Sequence, residues 1–294
     1  QIILAPAMNQ AMWSNPAVQE NRELLERRGV RFLGPAEGDQ ACGEVGPGRM
    51  MEPVDIVRSV FEKPARFSSQ SLKGLTVIVT AGPTREPIDP VRYITNRSSG
   101  KMGFAVAAAA EEAGAKVILV SGPVSMATPQ GVERIDVETA EQMYASAHER
   151  VGEADLFIAC AAVSDYKPET EADEKLKRTQ KTLNLELIRS PDTLASVAEL
   201  KDGPFTVGFA AETQNVAENA RSKLTRKGLD MIAANQVGRD CGFDQETNSL
   251  MVFWDNDEVD LERASKPVLA GRLIHLIAER YHAAHSERDS TQAV

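Results

Sequence analysis

Short apolar runs alternate with longer stretches of helical period over most of this chain. Residues 76–80 (TVIVT), 117–121 (VILVS), 156–161 (LFIACA), 206–209 (TVGF) and 231–234 (MIAA) read as strands. Between and after them, 102–113, 140–151, 191–200 and 216–227 read as helices. This alternation predicts an α/β protein with a Rossmann-like, doubly wound, mostly parallel sheet. Two more β-type runs, 183–188 and 249–254, either extend the sheet or form an arm. A last helix is expected over 266–284, with Val268, Leu269, Leu273, Leu276 and Ile277 on one stripe.

The first 63 residues have a different grain. A strand at 2–5 leads to a helix over 15–28, with Asn15 as its cap, Pro16 in its first turn and Gly29 as its stop. A short strand at 30–33 follows, then a Gly- and Pro-rich stretch, 34–53, that reads as a mobile loop, and a helix at 54–62. Residues 64–73, within the polar run KPARFSSQSLK, read as a linker, so the expected regions are 1–63, 64–73 and 74–294. A chain that opens on Gln1 in mid-strand is expected to be the later part of a longer polypeptide.

Composition narrows the choice. A hydrophobic share of 42% is that of a folded protein, and 43 acidic against 33 basic residues give a net charge of −10. That balance argues against a nucleic-acid partner but leaves room for an anionic small molecule in a locally basic cleft. Cys42, Cys160 and Cys241 are odd in number and form no C-x-x-C pair, and no apolar run approaches the ~20 residues that span a bilayer. A reduced, cytoplasmic setting is expected. The four histidines lack metal-site spacing.

Candidate chemistry falls at strand ends, where open α/β sheets bind ligands. After the first strand, a dinucleotide fold would turn into its helix through G-x-G-x-x-G; here a long loop, 83–99, intervenes before Gly100-Lys101-Met102-Gly103. Ser98, Ser99 and Gly100 at a helix start offer hydroxyls and free N–H groups to an anion, or merely a cap, and Arg92, Asn96, Arg97 and Lys101 crowd the same loop. After the third strand, the small residues Ala159, Cys160 and Ala161 permit close backbone approach. Asp165 could meet a base, a sugar or a metal, or simply form a turn. Phe209 offers an apolar wall, and Lys223 and Lys227, four apart on a helix, could meet a polyphosphate together.

TAGPTREPIDPVRYITNRSSGKMG, ACAAVSDYKP with Lys175 following, IRSPDTLA, VGFAAET and ARSKLTRKGLD together resemble the phosphopantothenate–cysteine ligases of coenzyme A synthesis. APAMNQAMW and QACGEVGPGRMMEP resemble the end of the phosphopantothenoylcysteine decarboxylases, flavoproteins that many bacteria fuse ahead of the ligase in a bifunctional CoaBC-type protein. The resemblance implies that 4'-phosphopantothenate is activated by CTP with Mg²⁺ as 4'-phosphopantothenoyl-CMP and then captured by cysteine. By it, Asn96 binds and converts the acyl-cytidylate, with Arg92 beside it and Ser98, Ser99, Gly100 and Lys101 in the same site. The backbone of Ala159, Cys160 and Ala161, with Asp165, matches the cytidine site; Lys175, Pro191, Asp192, Thr193, Leu194, Phe209, Lys223 and Lys227 match further CTP positions, and Lys175 is the implied catalytic lysine. Asn9 matches a substrate- and flavin-site residue, and Cys42 the acid that protonates the enethiol. Decarboxylation with FMN is expected only with an N-terminal part that this sequence lacks, and a homodimer through the ligase region is implied. A nicotinamide-dependent reductase and a non-catalytic assembly module are the alternatives.

Overall fold

The computed structural model describes residues 2–28, 30–39, 45–61, 70–177, 182–236, 247–255 and 257–292. The chain divides into two compact units, Gln1–Arg66 and Phe67–Val294.

In the first unit, β1 (Ile3–Leu4) pairs in parallel with β2 (Arg31–Phe32). Between them lie α1 (Gln10–Trp13) and α2 (Pro16–Arg27). Each helix starts on an asparagine whose side-chain oxygen accepts a free N–H of the first turn, Asn9 from Ala11 at 2.7 Å and Asn15 from Ala17 at 3.0 Å. The stretch expected to be a mobile loop instead carries an antiparallel pair, β3 (Ala36–Asp39) and β4 (Val45–Arg49), and α3 (Pro53–Phe61) follows in the chain. Its glycines read as breakers because strand pairing across a turn leaves no apolar alternation when one face holds Gly and Pro. Cys42, the implied proton donor, lies outside the described residues, as does Cys241.

The second unit is built on an eight-stranded sheet. In chain order its strands are β5 (Thr76–Ala81), β8 (Lys116–Ser121), β9 (Glu133–Asp136), β10 (Leu156–Ala159), β13 (Phe205–Glu212), β14 (Met231–Gln236), β15 (Thr247–Trp254) and β16 (Asp257–Ser265). Across the sheet they run β16-β15-β14-β13-β10-β5-β8-β9, parallel from β14 to β9 and antiparallel at β15 and β16. Two antiparallel pairs stand apart: β6 (Arg85–Asp89) with β7 (Arg92–Thr95), and β11 (Tyr166–Pro168) with β12 (Leu187–Arg189). The helices are α4 (Lys101–Glu112), α5 (Ala140–Arg150), α6 (Thr193–Ala198), α7 (Val216–Lys227) and α8 (Lys266–Gln292).

Strand alternation sorts the core. Val77 and Val79 join Val117, Leu119, Phe104, Val106 and Ile277 on one face, while Ile78 joins Ile118, Met143 and Phe157 on the other. Helices α4 and α8 cover the first face and α5 and α6 the second. Leu72, within the segment that reads as a linker, is fully buried in the first of these clusters, so the folded unit begins before Lys73. Residues 62–69 lie outside the described residues.

Close approach of α4 to the sheet depends on Gly103. A Cβ there would meet the Ala81 Cβ at 2.6 Å and the Cys160 Cβ at 3.2 Å. Gly103→Ala therefore overpacks the junction of α4 with β5 and β10 and is expected to cost about 1–3 kcal/mol, read as a lowered urea midpoint at unchanged m-value.

Three further expectations are corrected. The long loop 83–99 contains the β6–β7 hairpin. Its strands are polar and largely exposed on β7, so they carry no apolar signature. Helix 191–200 is the short α6, because Asp192, not Pro191, caps it, accepting Ala195 N–H at 3.1 Å. The two open β-type runs resolve differently: 249–254 lies in β15 and extends the main sheet, whereas only 187–188 of the other is strand, within β12, which forms an arm with β11.

Candidate active site

A cleft of about 530 Å³ opens at the carboxyl ends of β10 and β13, a size ordinary for a small-molecule site. Ala159, Ala161 and Asp165 line it from the β10 side, Phe209 from β13, Pro191, Asp192, Thr193 and Leu194 from the start of α6, and Lys223 and Lys227 from α7. Residues named by motif along some seventy positions thus converge on one cavity. Thr80, Tyr166, Arg189, Ser190 and Arg226, which lie inside the same motifs but were not singled out, line it too. Arg189 and Arg226 sit within IRSPDTLA and ARSKLTRKGLD, but as single arginines they carried only a generic basic signal.

The cleft is basic although the chain is acidic. Arg189, Lys223, Arg226 and Lys227 face only Asp165 and Asp192 among its lining residues. Lys227 Nζ lies 2.7 Å from Asp192 Oδ2, and Lys223 Nζ donates to Glu212 Oε1 at 2.6 Å, with Asn219 Nδ2 on the other Glu212 oxygen at 3.0 Å. Burial pushes the Asp192 carboxyl up, but Lys227, the Ala195 N–H and the field of Arg226 outweigh it and hold the group below the usual carboxylate range. The side chains of Arg189 and Arg226 make no hydrogen bond or ion pair with any described residue, so they are the cations ready for an incoming anion. Ser190 Oγ and Thr193 Oγ1 are buried without a partner among the described residues, and Thr193 is only 6% exposed. Orphaned hydroxyls in a cleft wall mark places where a ligand completes the hydrogen bonding.

Asn96, Arg92, Ser98, Ser99, Gly100, Lys101 and Lys175 do not line this cleft. Asn96 Nδ2 donates to the carbonyls of Val163 (2.9 Å) and Ala162 (3.3 Å), fixing the loop that leads to Asp165. Buried Thr84 grips the same loop, its Oγ1 accepting Ser164 N–H at 3.0 Å. Neither Ser98 nor Ser99 caps α4. Gly100 does, in a left-handed conformation (φ 75°) that suits a residue without Cβ, and Ser98 Oγ accepts the Gly100 N–H at 3.3 Å. Cys160 is half-buried with its Cβ toward α4, and burial pushes its thiol up, so its side chain reads as packing. Arg92 pairs with Asp89 rather than standing free. Lys175 is exposed, while Arg178 lies outside the described residues. Asn9 is occupied at the start of α1.

Among the described residues no cluster of three or more His, Cys, Asp or Glu could hold a metal ion, and no helix is long and apolar enough to cross a membrane.

A doubly wound sheet with a basic, hydroxyl-lined cleft at its carboxyl edge defines an α/β protein whose cleft suits an anionic small molecule. Sequence comparison gives the particular family. Residues 72–281 match the DNA/pantothenate metabolism flavoprotein C-terminal domain, and residues 1–64 match the flavoprotein family. The chain is 52% identical over 283 residues to the coenzyme A biosynthesis bifunctional protein CoaBC of Vibrio cholerae, covering 95% of this chain and 70% of that protein. It is 49% identical over 286 residues to the protein of the same name from Escherichia coli, with the same coverage. The crystal structure of the C-terminal domain of a coenzyme A biosynthesis bifunctional protein CoaBC superposes with a TM-score of 0.64 at 38% identity, over 73% of this chain and all of that one. The chain belongs to the CoaBC family.

Proposed function

We propose that this chain joins 4'-phosphopantothenate to cysteine at the expense of CTP, with the basic cleft as the nucleotide site. It is an enzyme of coenzyme A biosynthesis, a phosphopantothenate–cysteine ligase, and decarboxylation belongs to the flavoprotein region of its relatives. The observation that carries the site is the convergence of Arg189, Lys223, Arg226, Lys227 and the orphaned Thr193 hydroxyl on one cavity at the sheet's carboxyl edge. Ala159 and Ala161 lack the bulk to block a base or sugar there, and Phe209 supplies an apolar wall.

A carboxylate resists amines because its oxygen is a poor leaving group. Attack of the phosphopantothenate carboxylate on the α-phosphorus of CTP expels pyrophosphate and leaves a mixed anhydride. The cysteine amine then adds to the acyl carbon, CMP leaves with the C–O bonding pair, and the amine proton goes to solvent or base. Charge builds on phosphate oxygens in the first step, so cations placed before the reaction lower its barrier. Lys223 and Lys227 exchange Glu212 and Asp192 for phosphate on binding, while Arg189 and Arg226 need no such exchange. Lys175 is the catalytic lysine of this reading, and Asn96, with Arg92 and Ser98–Lys101 near it, serves the acyl-cytidylate.

Mg²⁺ arrives on the triphosphate, since the described residues provide no ligand cluster of their own; Asp165 is the cleft carboxylate left over once Asp192 pairs with Lys227. FMN goes with the flavoprotein region. There Asn9 is engaged in capping α1, and Cys42 is outside the described residues. A homodimer through the ligase region and a cytoplasmic location complete the proposal. The exposed apolar side chains of Val91, Tyr93, Leu187 and Ile188 offer surface for such an assembly.

Pyrophosphate release by the purified chain with Mg²⁺, CTP and 4'-phosphopantothenate tests the reading, with cysteine present or omitted and ATP in parallel. Release should require both CTP and phosphopantothenate, and cysteine should convert a single turnover into sustained turnover. No release with either nucleotide would leave only a binding role.

A further inference from the structure

Asp89 is a buried carboxylate at the tip of the hairpin: it is 2% exposed, although it ends β6 and faces the turn to the largely exposed β7. A turn-forming aspartate needs only its own turn's N–H groups, and Asp89 Oδ1 takes these, accepting from Val91 and Arg92 at 2.9 Å each. Its second oxygen is used for something the turn does not require. Oδ2 accepts the Arg92 Nε–H at 3.0 Å and the backbone N–H of Leu176, 87 residues later, at 3.1 Å. The Arg92 guanidinium in turn donates to the Leu176 carbonyl at 3.2 Å. Both backbone polar groups of Leu176 are thus held by one ion pair. One turn earlier, Ala172 N–H donates to the Ile88 carbonyl at 3.1 Å.

We propose that Asp89, acting with Arg92, is a positioning residue for Lys175, clamping the backbone beside that lysine to the tip of the β6–β7 hairpin. The residues that flank the hairpin's base hold the other end of this connection, Asn96 on Ala162 and Val163 and Thr84 on Ser164. It therefore ties the cleft loop and the lysine segment to one rigid element, which limits the conformations an exposed, flexible lysine must search before it meets phosphate. The inference rests on Lys175 acting on the nucleotide, as proposed above.

Asp89→Asn tests it, because the amide retains an acceptor for the turn and loses the charge that holds Arg92 and Leu176. Single-turnover pyrophosphate release is measured for Asp89→Asn, Lys175→Gln and the double variant. Trypsin cleavage after Lys175 and Lys177 is followed well below the melting temperature. Asp89→Asn should lower the single-turnover rate by about tenfold or more, at little change in KM for phosphopantothenate, and should cost almost nothing further once Lys175 is gone. Trypsin should cut the segment faster in Asp89→Asn. A wild-type rate for Asp89→Asn beside an impaired Lys175→Gln overturns the proposal, and so do equal losses in both backgrounds, which would mark a structural effect that bypasses Lys175. Full activity in Lys175→Gln would instead refute the role given to that lysine. The clamp is then judged on cleavage alone, and an unchanged cleavage rate overturns it.

Discussion

Lys175→Gln should lower the rate of acyl-cytidylate formation by roughly 10²–10³-fold, the usual cost of removing one preorganised group that meets charge developing in a transition state. The side chain is exposed and its removal leaves no cavity, so the melting temperature should stay within a degree or two of the parent, as for most surface changes away from a packed site. Chemical quench of a single turnover, with CTP well above its KM, separates this effect from weaker binding. A variant with a raised KM and an intact rate at saturation would make Lys175 a binding residue only.

Asn96→Asp should reduce kcat/KM for phosphopantothenate by about 10–100-fold, and by more than Asn96→Ala does. The Asn96 amide nitrogen donates to the Val163 and Ala162 carbonyls at 2.9 and 3.3 Å. A carboxylate would set a charged acceptor against two acceptors, a loss of about 1–3 kcal/mol with no compensating bond. The strain falls on the loop that carries Asp165 into the cleft, so function should suffer before stability does. Steady-state rates for the two variants, with thermal melts alongside, check the order. If Asn96→Ala proved the worse of the two, the side chain would matter through a ligand contact rather than through the loop.

Much of the second unit was legible because buried parallel strands and their helices announce themselves locally. Apolar runs 76–80 and 117–121 lie inside β5 and β8, and helix 216–227 is predicted to the residue, its end marked by Gly228 in a left-handed conformation (φ 62°). The last helix extends to Gln292, beyond the expected 284, since the polar residues that follow do not break helical geometry once a packed stripe has formed. Missed elements share one property. β7 and β16 are largely exposed and the residues β6 buries are carboxylates, Glu86 and Asp89, so pairing, not composition, makes them strands.

The cleft was partly legible. Motifs carrying Asp165, Asp192, Phe209, Lys223 and Lys227 identified the family, and these side chains do meet in one cavity. Arg189 and Arg226 did not stand out, because a lone arginine beside a turn or on a helix face carries no sign of what faces it.

The sequence by itself determined the alternation of strands and helices, the family and the residue types available for chemistry, because periodicity and local propensity act within a few residues. Only the tertiary structure decided which of those residues touch. It paired Lys227 with Asp192, left Arg189 and Arg226 without an ion-pair partner among the described residues, turned the Cys160 Cβ toward α4, and set Asp89 and Arg92 on the backbone of Leu176. Such contacts depend on strand order and on the side to which each side chain points. Both are fixed when distant segments pack together, not by the neighbours of a residue along the chain.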